Sequence, residues 1–427
     1  MIKGEKVRFD IYKILYSVYK FNKTLNNIGI KKIINQHTKK DISFLNNVTL
    51  NSMRFHLHSL KIINKYIKKQ LRDKEKILLI SAITQIVFLN FKEYAVINCS
   101  VEIAKKLKIY HGFINAVLKK ESENKEELRS TNIEFNDLPK WFKIKTVSLK
   151  KKEKKLFLDN FKMEPSIHIV FKNENKLEEF DEDLIKTSSI SGFLVNRKDI
   201  VEINSYSNGE WWIQDFSSFF PLHNLLVKNY NNKKFLDACS APGGKAFQIL
   251  SRNNQLVLND QSKERIKILK ENLNRLNYKT KVLNKDFSKF SLKEKFDFII
   301  IDAPCSSVGT IRKNPEIFFK NSSPDFQNLK KIKEKLIQKA SKLLNEEGYI
   351  LYMTCSFLKY ETIDQIDKFL EKNCDFELYN FKLRKEFDKY SKLVRDGLMV
   401  TLPDKILDHG IDGYFAACLK KNKFFYF

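Results

Sequence analysis

Two cysteines carry the most distinctive chemistry in this sequence. Cys305 stands in Asp302-Ala303-Pro304-Cys305-Ser306 and Cys355 in Tyr352-Met353-Thr354-Cys355-Ser356, each just past the end of an apolar run. A thiolate at such a sheet edge becomes a nucleophile once cations or helix termini lower its pKa. The other four cysteines read differently. Cys99, Cys374 and Cys418 fit small buried hydrophobes, and Cys239 fits close packing beside a ligand. No Cys-x-x-Cys pair and no zinc-like His spacing occurs, so no metal is expected, and the set suits a cytoplasmic protein with reduced thiols. His56 and His58 read as core or surface histidines.

Carboxylates mark the same edge. Asp237, Asp260, Asp286 and Asp302 each close an apolar run, and four in register suggest one polar ligand crossing the strand ends. The first of them opens Asp237-Ala238-Cys239-Ser240-Ala241-Pro242-Gly243-Gly244-Lys245, a strand end, a glycine turn and a helix start. Open α/β sheets bind ligands there. The dinucleotide fingerprint is excluded because only the pair Gly243-Gly244 is present. A Walker loop is excluded because Cys239 and Ala246 replace its first Gly and its hydroxyl. The loop thus allows close backbone approach without provision for a pyrophosphate, which suits S-adenosylmethionine (SAM). Asp260, about 20 residues beyond the first strand end, is where a ribose-binding acid is expected.

These residues need a sheet to position them. Apolar runs predict strands at Phe235–Asp237, Leu256–Asp260, Val282–Asp286, Phe296–Asp302 and Gly348–Cys355, with a helix over Ser262–Asn277 burying Ile266, Leu269, Leu273 and Leu276. Upstream, residues 1–122 show only helical spacing and read as an all-α domain. Glu121 to Asp137 is polar and aperiodic, a linker. Residues 138–220 read as a small α+β connector with β-like runs at Ile167–Phe171 and Ile200–Ile203, and a turn at Asn208-Gly209 before Trp211-Trp212-Ile213. Residues 221–427 form the α/β domain. Of the net charge of +27, residues 1–120 supply +17, a local excess that points to a nucleic-acid partner. The most apolar window, Ile77 to Leu89, is interrupted by Ser81, Thr84 and Gln85 and is too short for the roughly 18 residues of a membrane span.

Val7-Arg8, Tyr94-Ala95-Val96-Ile97-Asn98 and Gly112-Phe113-Ile114-Asn115-Ala116-Val117-Leu118 resemble the NusB-type helical RNA-binding domain. Asp237 to Lys245, Asp302 to Ser306, Arg312-Lys313-Asn314-Pro315-Glu316 and Thr354-Cys355-Ser356 resemble the RNA (cytosine-5) methyltransferases, a Rossmann-like fold. With the NusB-like part in front, the whole is similar to the RsmB type, which methylates 16S rRNA. In that type residues 138–220 correspond to an RRM-like extension. The chain departs from the family at Val170-Phe171-Lys172-Asn173, where an Arg-Val-Asn is usual, and at Lys359-Tyr360-Glu361-Thr362, where Pro-Glu-Glu-Asn is frequent and shapes the target pocket. Gly410 to Ala416 is similar to the family's last strand.

The resemblance implies SAM as cofactor, RNA as partner and Cys355 as the nucleophile toward carbon 6 of cytosine. Asp302 would bond the base and stabilise developing charge, and Cys305 would assist loss of the carbon-5 proton or release of Cys355. Lys245 would orient base or nucleophile, or serve structure alone. The backbone from Cys239 through Ser240, Ala241, Pro242 and Gly243 to Gly244 would hold the methionine end of SAM, Asp260 the ribose and Asp286 the adenine region, with Arg265 beside Asp260. DNA cytosine-5 methyltransferases use the Cys of a Pro-Cys pair, which would favour Cys305; Thr354-Cys355 favours the RNA arrangement. Two alternatives stay open: a transfer-RNA cytosine-5 methyltransferase, and an inactive RNA-binding assembly factor. A monomer without membrane attachment is the default.

Overall fold

Helical spacing of apolar residues does give helices through the first 123 residues: Glu5–Phe21, Ile28–Ile34, Lys39–Arg54, His56–Tyr66, Asp73–Ile83, Glu93–Lys106 and His111–Glu123. Ile11, Leu15, Val18, Val48, Ile62, Leu79, Ile103 and Leu118 meet in their core. The computed structural model describes residues 4–196, 198–225, 233–380 and 382–423; residues 1–3 of the expected all-α domain, 197 of the expected connector, and 226–232, 381 and 424–427 of the expected α/β domain lie outside the described residues. The chain divides into two units, Met1–Lys162 with Ile311–Pro324, and Met163–Thr310 with Asp325–Phe427.

In the first unit the polar interruptions of the apolar window are buried. Gln85 donates to the Ser81 carbonyl (3.1 Å) and accepts from Arg8 Nε (2.8 Å). The helix loosens there into a π turn, Thr84–Phe88, closed by Leu89 N–H to Thr84 O. The expected linker is not a free tether. It holds a helix at Lys125–Arg129 and a 3₁₀ turn at Phe135–Asp137, and Glu121 and Leu128 are fully buried. Its sparse apolar residues sufficed to pack it, which periodicity alone could not reveal. The helices Lys140–Lys145 and Lys151–Asn160 bring Phe142 and Phe157 against Phe318 of the 311–324 segment. Arg312, quoted above beside the catalytic motifs, therefore belongs to this helical unit, where Arg54 Nη2 donates to its carbonyl (3.1 Å).

The second unit begins with a four-stranded antiparallel sheet, β1 (His168–Phe171), β2 (Leu184–Ser188), β3 (Ser191–Leu194) and β4 (Trp211–Ile213), in the order β2-β3-β1-β4. The expected strand at Ile200–Ile203 is instead a 3₁₀ turn, Ile200–Glu202. Only Ile203 turns into the core while Ile200 and Val201 stay exposed, so the run lacks strand alternation. At the family departure on β1, Lys172 is turned inward: its ammonium donates to the Leu276 carbonyl (2.6 Å) and lies over the Tyr278 ring.

The main sheet runs β7-β6-β5-β8-β9 in parallel, from β5 (Lys234–Asp237), β6 (Gln255–Asn259), β7 (Lys281–Leu283), β8 (Phe296–Asp302) and β9 (Leu344–Thr354). Antiparallel strands close one side: β10 (Phe376–Tyr379), β11 (Val394–Arg395), β12 (Leu398–Thr401) and the last strand, Tyr414–Lys421, which pairs with β9. The expected last strand at Gly410–Ala416 is thus displaced, because His409–Ile411 pairs in a separate hairpin with Asp404–Ile406. The third expected strand also stops early, at Leu283. Beyond it the Asn259 side chain takes over the ladder, accepting from Lys285 N–H and donating to Lys285 O. Asp286 consequently lies in a loop three residues past its strand, not in register with Asp237 and Asp302.

Candidate active site

The glycine turn is shaped by its own amides. Cys239 N–H donates to Asp237 Oδ1 (3.3 Å), Ser240 N–H and Oγ–H to the Asn259 carbonyl (2.9 and 3.0 Å), and Ala241 N–H to Asp260 Oδ2 (3.2 Å). Asn272 donates to the Pro242 carbonyl (3.2 Å) and Arg265 to that of Ala241. Gly243 sits at φ +118°, and a Cβ there would fall 2.2 Å from the Phe247 ring, so both conformation and space demand glycine. Gly244 follows against the Gln214 side chain and starts the helix Gly244–Leu250, which carries Lys245.

Beside this turn a cleft of about 220 Å³ opens over β5 and β6, lined among others by Cys239, Asp260, Arg265, Asp286, Phe287 and Pro304. Asp260 is buried, accepts from Ser262 N–H (2.9 Å) and has Arg265 Nη1 at 3.4 Å. Arg265 thus braces both the acid and the loop. Asp286 is tied to Ser288, whose hydroxyl bond holds its carboxyl below the ordinary value, with Lys289 adding to the effect. Behind the turn, Asp237 Oδ2 is a buried acceptor with no donor among the described residues. Burial pushes its carboxyl up to about 7, opposed by Lys245 and reinforced by Asp302. Burial likewise raises the Cys239 thiol.

The second cluster is made of side chains. Cys305 Sγ and Cys355 Sγ lie 3.1 Å apart, both free, with Ser307 Oγ 3.6 Å from Cys355. The hydrogen bond between them holds the Cys305 thiol below its ordinary value against the cost of burial, and the same bond raises Cys355. The pair therefore gives up one proton readily and resists losing a second. Asp302, at the end of β8, accepts from Lys245 Nζ (2.7 Å) and Tyr414 OH (2.9 Å). Lys245 also donates to Ser218 Oγ (3.1 Å). The Cys355 backbone is clamped by Gly309 N–H (3.1 Å). A Cβ on Gly309 would lie 1.8 Å from the Gly413 carbonyl, so only glycine admits that crossing.

Beneath both cysteine loops lies a buried ion pair. Glu361 accepts from Lys333 Nζ (2.8 Å), from Ser306 N–H (2.9 Å) and from Ser356 Oγ–H (2.7 Å), and its carbonyl accepts from Tyr352 OH (2.9 Å). The turn at Lys359–Thr362 thereby supports the cysteine loops from inside. Of the sequence-derived residues, Asp302, Cys305, Cys355 and Lys245 come together, while Cys239, Asp260, Arg265 and Asp286 border the cleft. The sequence assigns no role to Tyr414, Ser218 or Lys333, and marks Glu361 only as part of a loop expected to shape the target pocket. Lys333 looks like any lysine of the amphipathic helix Phe326–Leu343, and Tyr414 stood in a run quoted only for its likeness.

A parallel sheet closed by antiparallel strands, with acids and cysteines along its C-terminal edge, defines a Rossmann-like methyltransferase domain. Residues 224–420 match the model of the 16S rRNA methyltransferase RsmB/F family, and residues 6–122 match that of the NusB family. It is 28% identical to a probable ribosomal RNA small subunit methyltransferase B of Coxiella burnetii, across 80% of this chain and 85% of that one. The fold is similar to that of PH0851 (TM-score 0.70, 19% identity, 98% of this chain and 99% of that chain). It is also similar to NSun6 from Pyrococcus horikoshii with SFG (TM-score 0.56, 16% identity, 67% of this chain and 98% of that chain). No helix among the described residues is long and apolar enough to cross a membrane, and no group of His, Cys, Asp or Glu among them suits a metal ion.

Proposed function

We propose that this protein methylates carbon 5 of a cytosine in 16S rRNA through a covalent adduct on Cys355, using SAM. The observation that carries the reading is the pair of free sulfurs at 3.1 Å beside Asp302, Lys245 and Tyr414. Carbon 5 of cytosine is a weak nucleophile, and a stacked base is out of reach, so the target is single-stranded or flipped out. Cys355 gives its proton to Cys305 and adds to carbon 6, and the ring electrons move to carbon 5. Asp302 accepts from the amine edge of the base, and the Lys245 ammonium offsets the negative charge that develops. SAM supplies the methyl cation equivalent that carbon 5 captures. Cys305, having passed its proton to solvent, takes the carbon-5 proton as Cys355 is expelled, so one proton is released per turnover.

The cleft suits SAM. Asp260 offers a carboxylate for a ribose and Asp286 and Phe287 a border for adenine, and Asp237 Oδ2, behind the turn and without a donor among the described residues, is an acceptor for an ammonium group. The glycine turn around Cys239–Gly244 supports the methionine end. The test is to incubate the protein with tritiated SAM and 16S rRNA, digest, and look for 5-methylcytidine, with transfer RNA alongside. Label at a 16S cytosine is the expected outcome. Label in transfer RNA alone would overturn the substrate, and no label with no SAM binding would overturn the enzyme.

A further inference from the structure

Within the helical unit a cavity of about 590 Å³ opens between the helix His56–Tyr66, the stretch Asn132–Phe135 and the helix Lys151–Asn160. Its volume lies in the roughly 300–1,000 Å³ range of small-ligand sites. Lys151, Lys154, Lys155 and Lys162 line it, against Asp159 as the acid of that lining. The Lys154 ammonium lies 4.9 Å over the half-buried Phe135 ring. At the bottom stands His58, 1% exposed, with neither ring nitrogen hydrogen-bonded among the described residues. Unpaired buried polar groups are costly and uncommon. Burial first, then Lys162, keeps this imidazole neutral, with its pKa pushed down to about 3, so it offers one donor and one acceptor.

We infer that this cavity is a nucleotide pocket. One unstacked nucleotide of single-stranded RNA inserts its base alongside Phe135 toward His58, and the neighbouring phosphates lie on Lys151, Lys154 and Lys155. The combination of an aromatic wall, a neutral hydrogen-bonding group and several lining lysines matches how unpaired bases are held. A free anion alone would leave the apolar wall and His58 without a role. The inference deepens the proposed function, since it rests on RNA being the partner, and it gives the basic helical unit a specific contact instead of a diffuse charge.

The test uses the full chain and a fluorescein-labelled, unstructured RNA oligonucleotide, with anisotropy read at several salt concentrations. His58→Phe keeps an aromatic ring while removing both ring nitrogens, and is expected to weaken binding about tenfold with the salt slope unchanged. Lys151, Lys154 and Lys155 changed together to Glu sit on the rim and do not threaten the core. That variant is expected to reduce the slope of log affinity against log salt by about two, from roughly 0.7 per lost phosphate contact. Unchanged affinity in both variants overturns the pocket. So does a loss confined to the lysine variant, which would mean a general basic surface, and so does a wild-type chain that fails to hold the oligonucleotide. Methyl transfer to 16S rRNA, assayed in parallel, reports separately on the proposed function.

Discussion

In the cleft over β5 and β6 backbone amides set Asp260 in place, with Arg265 beside it, whereas at the cysteines Asp302 and Glu361 are held mainly by side chains. Asp260 takes amide donors from Ala241 in the glycine turn and from Ser262 two residues on. Asp302 instead takes Lys245 and Tyr414, which are 57 and 112 residues away, and the cysteine loops rest on Glu361 and Lys333. A backbone-built site survives many side-chain changes because its donors are present whatever the residue. A side-chain-built site fails when one member is lost.

The sharpest contrast should come from Glu361→Ala. It leaves Lys333 charged and unpaired at 0% side-chain exposure, and breaking such a buried pair costs about 3–5 kcal/mol, readable in urea unfolding. A loss below about 1 kcal/mol would mean that the cysteine loops do not depend on the pair. On the cleft side, Asp237→Asn should weaken SAM binding about tenfold by calorimetry. Its carboxyl, pushed up to about 7 by burial, must ionise to receive an ammonium. Wild-type affinity should therefore rise as pH climbs to about 7 and level off above it, and the Asn variant should lose that rise. A parallel pH profile in both proteins would remove Asp237 from the site.

Tyr414→Phe deletes one hydrogen bond to Asp302. It should lower kcat by up to about tenfold while SAM affinity stays constant, which would separate the two clusters; a matching loss of SAM affinity would merge them. The smallest effect is expected at Asp286→Asn. That side chain is 37% exposed and its Lys289 partner 80% exposed, so solvent screening limits the change in SAM affinity to about threefold.

The same contrast explains what the sequence discloses. Asp237, Gly243 and Asp260 fall within one strand–turn–helix–strand unit, so their spacing alone locates them, and Ile266, Leu269, Leu273 and Leu276 are all buried as their period requires. Cys305 and Cys355 are legible because each stands just past an apolar run, next to residues of a recognisable motif. The roles of Tyr414, Glu361 and Lys333 are not, since only tertiary packing brings them under residues 302–306 and 355–356. The linker misled for the opposite reason: Leu128 and Glu121 are isolated in sequence yet fully buried in the fold. Asp286 seemed strand-terminal because the Asn259 side-chain bonds that end β7 leave no periodic trace.

The most direct test of the central claim is adduct formation. Cys305→Ala and Cys355→Ala proteins would be incubated with SAM and radiolabelled 16S rRNA and run on a denaturing gel. If Cys355 is the nucleophile and Cys305 serves its release, the Cys305→Ala protein accumulates a covalent protein–RNA band, and Cys355→Ala shows neither band nor turnover. A band with Cys355→Ala and none with Cys305→Ala would contradict the assignment and exchange the two roles.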